Sequence, residues 1–210
     1  MTRMKRFRFV LYPVLAVLLG FAAWRGWKAH RAREIPGTIA SFGGKNLSIR
    51  PAERGAFYLQ GDSVWGGEKI GGSGETIRSV GCTLCAIAMA ATDLGQEIDP
   101  GALNEALKKN EGYTSRGWII WSAVAPSLDD RVEAVYTKEV SHELIDTLLE
   151  RGDVPIVKIF LPMGIPHWVA VVGKQGNEYL VKDPSYGPKT LVKLSARGPR
   201  IHAVRFIRKS

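Results

Sequence analysis

Cysteine is scarce in this 210-residue chain, with two copies only, Cys82 and Cys85. So few exclude a disulfide-stapled scaffold. Two cysteines and one histidine also fall short of a structural zinc site, which wants four ligands at regular spacing, and neither a metal nor a cofactor is expected. Internal repeats are missing, as is any recognised nucleic-acid motif. Acidic residues are missing from the first 33 positions, which carry eight Lys/Arg, while the other 177 carry 21 Lys/Arg against 20 Asp/Glu. The net charge of +9 therefore belongs to the N-terminal end, and a nucleic-acid partner is not expected. The basic tail of Arg197, Arg200, Arg205, Arg208 and Lys209 reads as a solvated end.

What the N-terminal end does hold is an uncharged, mostly apolar run, Phe9 to Trp24, between two basic flanks. At ~1.5 Å per residue it is somewhat short of a ~30 Å hydrocarbon core. Arg8 and Arg25 can snorkel, and Trp24 and Trp27 suit the interface, so one uncleaved transmembrane helix is expected, attracted to anionic headgroups by its flanks. A signal peptide with Gly20-Phe21-Ala22 at its cleavage site is the alternative. Four Lys/Arg on each flank give no direction by the positive-inside rule. The commoner arrangement for so short an N-terminus puts the folded domain outside the cytoplasm, and that is the expectation. Residues 1–33 are thus read as a membrane anchor and 34–56 as a linker, with Gly43-Gly44 and Pro51 as its marks. Residues 57–210 are read as one folded domain, and a hydrophobic content of 45% is enough to give it a core.

The domain changes period along its length. Cys82 to Leu94 is apolar on nearly all sides and closes at Gly95, which predicts a buried central helix. Asp99-Pro100 reads as N-cap and first residue of a helix through Lys109, with Leu103, Ala106 and Leu107 facing inward. Trp118 to Val124 predicts a short helix stopped by Pro126. Ser141 caps a helix with Leu144, Ile145, Leu148 and Leu149 on one face, ended by Gly152. Strands are then predicted over Pro155–Leu161, His167–Gly173, Glu178–Asp183, Lys189–Leu194 and Ile201–Ile207, with Gly176-Asn177 in the turn between the second and third. Helices first and antiparallel strands second is an α+β order. A buried helix packed on that sheet brings Cys82 near a histidine at a strand start.

Cys82 follows a turn glycine, Gly81, and opens the apolar helix. The unpaired N–H groups and dipole of a helix's first turn favour thiolate over thiol. Cysteine, then His167, then Asp183 are the parts of a nucleophilic triad in chain order. Cys82 would attack, His167 would be its base, and Asp183 would accept the second imidazole N–H and fix the tautomer. Gln60, 22 residues ahead of Cys82, can offer a side-chain N–H to an oxyanion beside the Cys82 backbone N–H. Each has a plainer reading. Cys82 and Cys85 can be small buried residues, His167 a satisfied core histidine, Asp183-Pro184 a turn and Gln60 a surface amide. Trp65, Trp118, Trp121 and Tyr186 can line a cleft or belong to the core.

The runs Gln60-Gly61-Asp62-Ser63-Val64-Trp65, Ile70-Gly71, Thr76-Ile77 and Gly81-Cys82 through Ala88-Met89 are followed by Asp99-Pro100, Leu103-Asn104, Gly112-Tyr113, Trp118, Trp121, His167-Trp168-Val169 and Asp183-Pro184. In that order they resemble the C39-like group of papain-fold cysteine peptidases, relatives of the double-glycine leader peptidases. The resemblance covers roughly Phe57 to Lys193. It implies a papain-like α+β fold, its nucleophile helix buried on an antiparallel sheet, with Cys82 attacking, His167 as base, Asp183 orienting the histidine and Gln60 in the oxyanion hole. It also implies a peptide or protein substrate, hydrolysed through an acyl-thioester. The transporter domains that accompany the leader peptidases are not expected within these 210 residues. Cys85 stands where relatives usually carry threonine or another small residue. That keeps a second reading open, a thiol-disulfide oxidoreductase using Cys82-Thr83-Leu84-Cys85, although the order of elements is not that of thioredoxin. A papain-like domain that binds peptide without cutting it is the third.

Overall fold

The computed structural model describes residues 17–22, 24, 35–51, 55–185, 187 and 189–210. The chain divides into two units, Met1–Pro36 and Gly37–Ser210. In the first, residues 17–22 and Trp24 are helical with exposed side chains. Much of the expected membrane span lies outside the described residues, and among those described no helix is long and apolar enough to cross a membrane.

The second unit is built on strands β1 (Ile39–Ala40), β2 (Phe42–Ile49), β3 (Val132–Tyr136), β4 (Val154–Phe160), β5 (Pro166–Lys182), β6 (Val192–Lys193), β7 (Arg200–Ile201) and β8 (Ala203–Lys209). Six of them form an antiparallel sheet in the order β2-β5-β4-β8-β3, with β6 on β5, while β1 and β7 pair separately. Apolar residues run almost unbroken through β4 and β5 because both faces are covered. Ile156, Ala170 and Val172 face one core, and Val157, Ile159, Val169 and Val171 face the other. Helix α2 (Cys82–Asp93), with α3 (Pro100–Lys109) packed on it, closes the first core; α4 (His142–Arg151) closes the second. Lying between sheet and α3, α2 buries Leu84 through Ala91 without a break, which is why its sequence is apolar all round. The expected caps are in place. Asp99 Oδ1 accepts the Ala102 N–H at 2.9 Å, Ser141 Oγ accepts that of Leu144 at 3.0 Å, and Gly152 turns the chain at φ 81°.

Strand β5 carries the geometry of the site. Its 17 residues, at ~3.3 Å each, would span more than ~50 Å if straight. Yet His167 at one end lies 2.8 Å from Asp183, just past the other. The run must double back, and Gly176, at φ 63° in the middle of it, occupies the left-handed region where glycine is at home. The expected strand-turn-strand is thus one continuous hydrogen-bonded run folded in two.

Several elements differ from expectation. The stretch 37–54, read as linker, supplies β1 and β2. Gly44 there has φ 73°, and a Cβ on it would sit 2.9 Å from His142 Cβ on α4, so this glycine permits close packing and does not mark a flexible joint. Trp118–Val124 yields one 3-10 turn, Trp121–Ala123, and Lys189–Leu194 yields only Val192–Lys193. A short helix, α1 (Ile77–Val80), leads into Gly81, and β3 was not anticipated. The basic tail is no solvated end. It forms β7 and the interior strand β8, and Arg200 is 8% exposed with Nε donating to Thr38 Oγ1 at 2.6 Å.

One buried polar cluster fastens β2 and the tip of β5 to α4. Asp146 on α4 accepts from Lys174 Nζ at 2.5 Å, from Tyr179 Oη at 3.1 Å and from the Lys45 backbone N–H at 2.7 Å. Both members of the Lys174–Asp146 pair have fully buried side chains. Removing one partner from such a pair strands a charge out of water. Asp146→Ala is expected to lower stability by about 3–5 kcal/mol in chemical denaturation of the full chain, and Asp146→Leu with Lys174→Met to cost clearly less than the single change.

Candidate active site

Cys82 is the first residue of α2, directly after Gly81, and is half-buried. Gly81 ends α1 and begins α2, and a Cβ there would collide with the Ile77 carbonyl and stand 2.7 Å from Ile77 Cγ2. The glycine therefore lets two helices abut and delivers the thiol at the junction. His167, the second residue of β5, is 3% exposed and close enough to Cys82 for each to act on the other's ionisation, with the Trp168 backbone N–H favouring the thiolate as well. On its other side His167 Nε2 meets Asp183 Oδ1 at 2.8 Å. That leaves Nδ1 as the nitrogen for the thiol. Three of the four residues singled out in the sequence are thereby brought into one relay.

Gln60 lies beside this relay and is tied to it through the backbone. Its N–H donates to the Pro184 carbonyl at 2.8 Å, and its Nε2 donates to the Arg78 carbonyl of α1 at 2.8 Å. The segment before α1 and the turn after Asp183 are thus joined at Gln60.

Two partners of Asp183 are not among the residues that the sequence singles out. Arg197 Nε donates to Asp183 Oδ2 at 2.6 Å. Ser185 gives Oδ1 both its backbone N–H and its hydroxyl, each at 2.8 Å, and its Oγ lies 3.3 Å from His167 Nε2. The serine follows Asp183 by two positions, the spacing at which aspartate side chains capture a backbone N–H, so a signal for it was present. Arg197 carried none, being one of several tail arginines.

The electrostatics follow from these bonds. Burial alone would raise Asp183, but His167, Ser185 and Arg197 outweigh it and hold the carboxyl far below its usual range. Burial opposes the charge on His167 too, yet Asp183 and Cys82 lift it to about 9. Cys82 follows the same logic. Burial favours the neutral thiol, and the His167 hydrogen bond and charge, with the Trp168 N–H, bring the pKa below the ordinary value. The three groups can therefore hold carboxylate, imidazolium and thiolate together.

Cys85 is placed quite differently. It lies one turn along α2 on a side that faces the core, fully buried, and burial pushes its thiol up. A resolving cysteine must be reachable, so this position disfavours the oxidoreductase reading. Among the described residues no cluster of His, Cys, Asp or Glu has the makings of a metal site.

A cleft of about 470 Å³ opens beside the relay, touching Thr83, which follows Cys82, and Pro166 and Trp168, which bracket His167. Trp118 and Trp121 line it, Trp65 sits instead in the core at 7% exposure, and Tyr186 lies outside the described residues.

Because Cys82 falls and His167 rises to about 9, the thiolate–imidazolium pair exists from the lowered thiol pKa up to about pH 9 and disappears above it as the imidazolium loses its proton. Iodoacetamide alkylation of Cys82 is expected to proceed well below the free-thiol pKa of ~8.5. His167→Ala should return its pH profile to that of an ordinary thiol, read by mass spectrometry of the Cys82 peptide.

No family model and no curated protein matches this chain. Among solved structures, that of a candidate C39-like peptidase from Bacillus anthracis aligns with a TM-score of 0.50 and 12% identity, over 79% of this chain and 100% of that one. At such identity the likeness speaks to the fold, a mixed α+β domain with an antiparallel sheet, similar to the C39-like peptidase fold.

Proposed function

We propose that this protein is a C39-like cysteine peptidase or amidase that hydrolyses a peptide-type amide bond. The buried His167–Asp183 hydrogen bond, set beside a Cys82 whose thiol His167 draws below its ordinary pKa, carries the reading. The Cys82 sulfur attacks the carbonyl carbon, and the oxyanion is met by the Cys82 backbone N–H at the head of α2 and the Gln60 amide. Gln60 Nε2 has two hydrogens, of which the Arg78 carbonyl takes one. His167 passes its proton to the departing amine as the C–N bond breaks, leaving an acyl-thioester. It then takes a proton from the water that attacks that thioester, so that acid is released and the thiol restored. Asp183 keeps the imidazole oriented throughout. A domain that only bound peptide would have no use for so complete a relay.

The same reading makes residues 1–33 a single-pass membrane anchor and the folded unit from Gly37 onward the catalytic region, which acts on a peptide or protein substrate outside the cytoplasm. It rests on the apolar run Phe9 to Trp24 and its basic flanks.

The test is cleavage of an internally quenched peptide library by the full chain. Cys82→Ala is expected to abolish turnover, and Gln60→Ala to lower kcat roughly a hundredfold or more. A Cys82→Ala protein that still cleaved the same peptides at full rate would falsify the proposal.

A further inference from the structure

The cleft beside Cys82 interrupts the pattern that builds the rest of the sheet. On the face toward α2, β4 presents Val154, Ile156 and then Lys158; β8 presents Ile207 and then Arg205. A period of two asks for apolar residues at each of these positions, and two are cations. Lys158 stands directly across from Trp168 on β5, and Arg205 from Tyr136 on β3 and Ile156 on β4. Both are half-buried and line the cleft, and Arg116 joins them from an exposed loop.

The charge there is unbalanced. Among the described residues no Asp or Glu lines the cleft, and none of these three cations forms an ion pair. Arg205 is nonetheless fixed in place. Its Nη1 donates to the Thr137 carbonyl at 2.9 Å and to the Val204 carbonyl at 2.6 Å, and its guanidinium lies 3.6 Å from the Tyr136 ring centroid. Half-burying two cations without a counterion works against stability. Such breaks of a local rule gather where a ligand completes the arrangement.

We propose that this cleft binds a carboxylate of the peptide substrate against Lys158 and Arg205, with a neighbouring apolar or aromatic side chain held by Trp118, Trp121 and Trp168. The inference rests on the peptidase reading and adds a substrate class to it, peptides carrying a carboxylate close to the bond that Cys82 attacks. The carboxylate can come from an acidic side chain or from the peptide's own C-terminus.

Three N-acetylated peptides separate these sources in a titration of the full chain carrying Cys82→Ala, followed by tryptophan fluorescence. They are Ala-Phe-Glu-Ala amide, Ala-Phe-Gln-Ala amide, and Ala-Phe-Gln-Ala with a free C-terminus. At least one carboxylate peptide is expected to bind about tenfold tighter than the neutral amide, and which one does so identifies the source. The preference should shrink with added salt and be lost in Lys158→Gln and in Arg205→Gln, while Arg205→Lys retains part of it. Should Arg205→Gln fail to fold, Lys158→Gln carries the test alone. Equal affinity for all three peptides, no binding by any, or a preference that survives Lys158→Gln would overturn the proposal. The peptidase reading fails by a different result, an ordinary thiol pH profile in the alkylation of unmutated Cys82.

Discussion

A carboxylate shut away from water has to be kept ionised, and at Asp183 that requirement governs the rest of the site. Burial works against charge at Asp183, His167 and Cys82 alike. Each is rescued by its neighbour, so the signs alternate along the line: Arg197 positive, Asp183 negative, His167 positive, Cys82 negative. Remove the first negative group and the imidazolium loses its main support, and with it the thiolate. Arg197 and Ser185 therefore act on the series from its far end, through their hydrogen bonds to Asp183. The low local dielectric that makes each lone charge costly is also what makes the alternating series cohere.

The fold satisfies this requirement with few parts. One doubled strand supplies histidine and aspartate side by side, and one helix supplies the thiol at its positive end. The glycine before that helix is needed for space, since its φ of -78° is open to any residue while a Cβ there would run into Ile77. Covering layers on both faces of the sheet leave α2 buried all round, which fixes the direction in which Cys82 leaves the helix. The cluster around Asp146 then holds the tip of β5 against α4, far along the strand from the chemistry.

How much of this could be read from residues alone depended on whether the signal was local. Cys82 after Gly81, His167 at the head of an apolar run and Asp183 before a proline are residue types at points of structural punctuation, and the structure joins all three. The caps at Asp99 and Ser141 are equally local. The sheet edges were not legible. Strand β2 carries Gly43, Gly44 and Lys45, and β3 is short and partly exposed, because an edge strand needs only one hydrogen-bonded neighbour and little apolar surface. Arg197 was hidden by composition, since arginines in a basic tail look alike until the chain has folded. Lys158 and Arg205 were visible as interruptions of the apolar runs Val154–Phe160 and Ala203–Lys209, but without the pairing register nothing said that they faced inward.

His167 and Asp183 belong to the two ends of a single folded-back strand, whereas Cys82 arrives on a separate helix. The approach of sulfur to imidazole therefore depends on how α2 packs against the sheet, whereas the approach of imidazole to carboxylate depends on the course of β5 itself. Two independent features of the fold, a helix contact and a strand reversal, have to be right together for the three groups to meet.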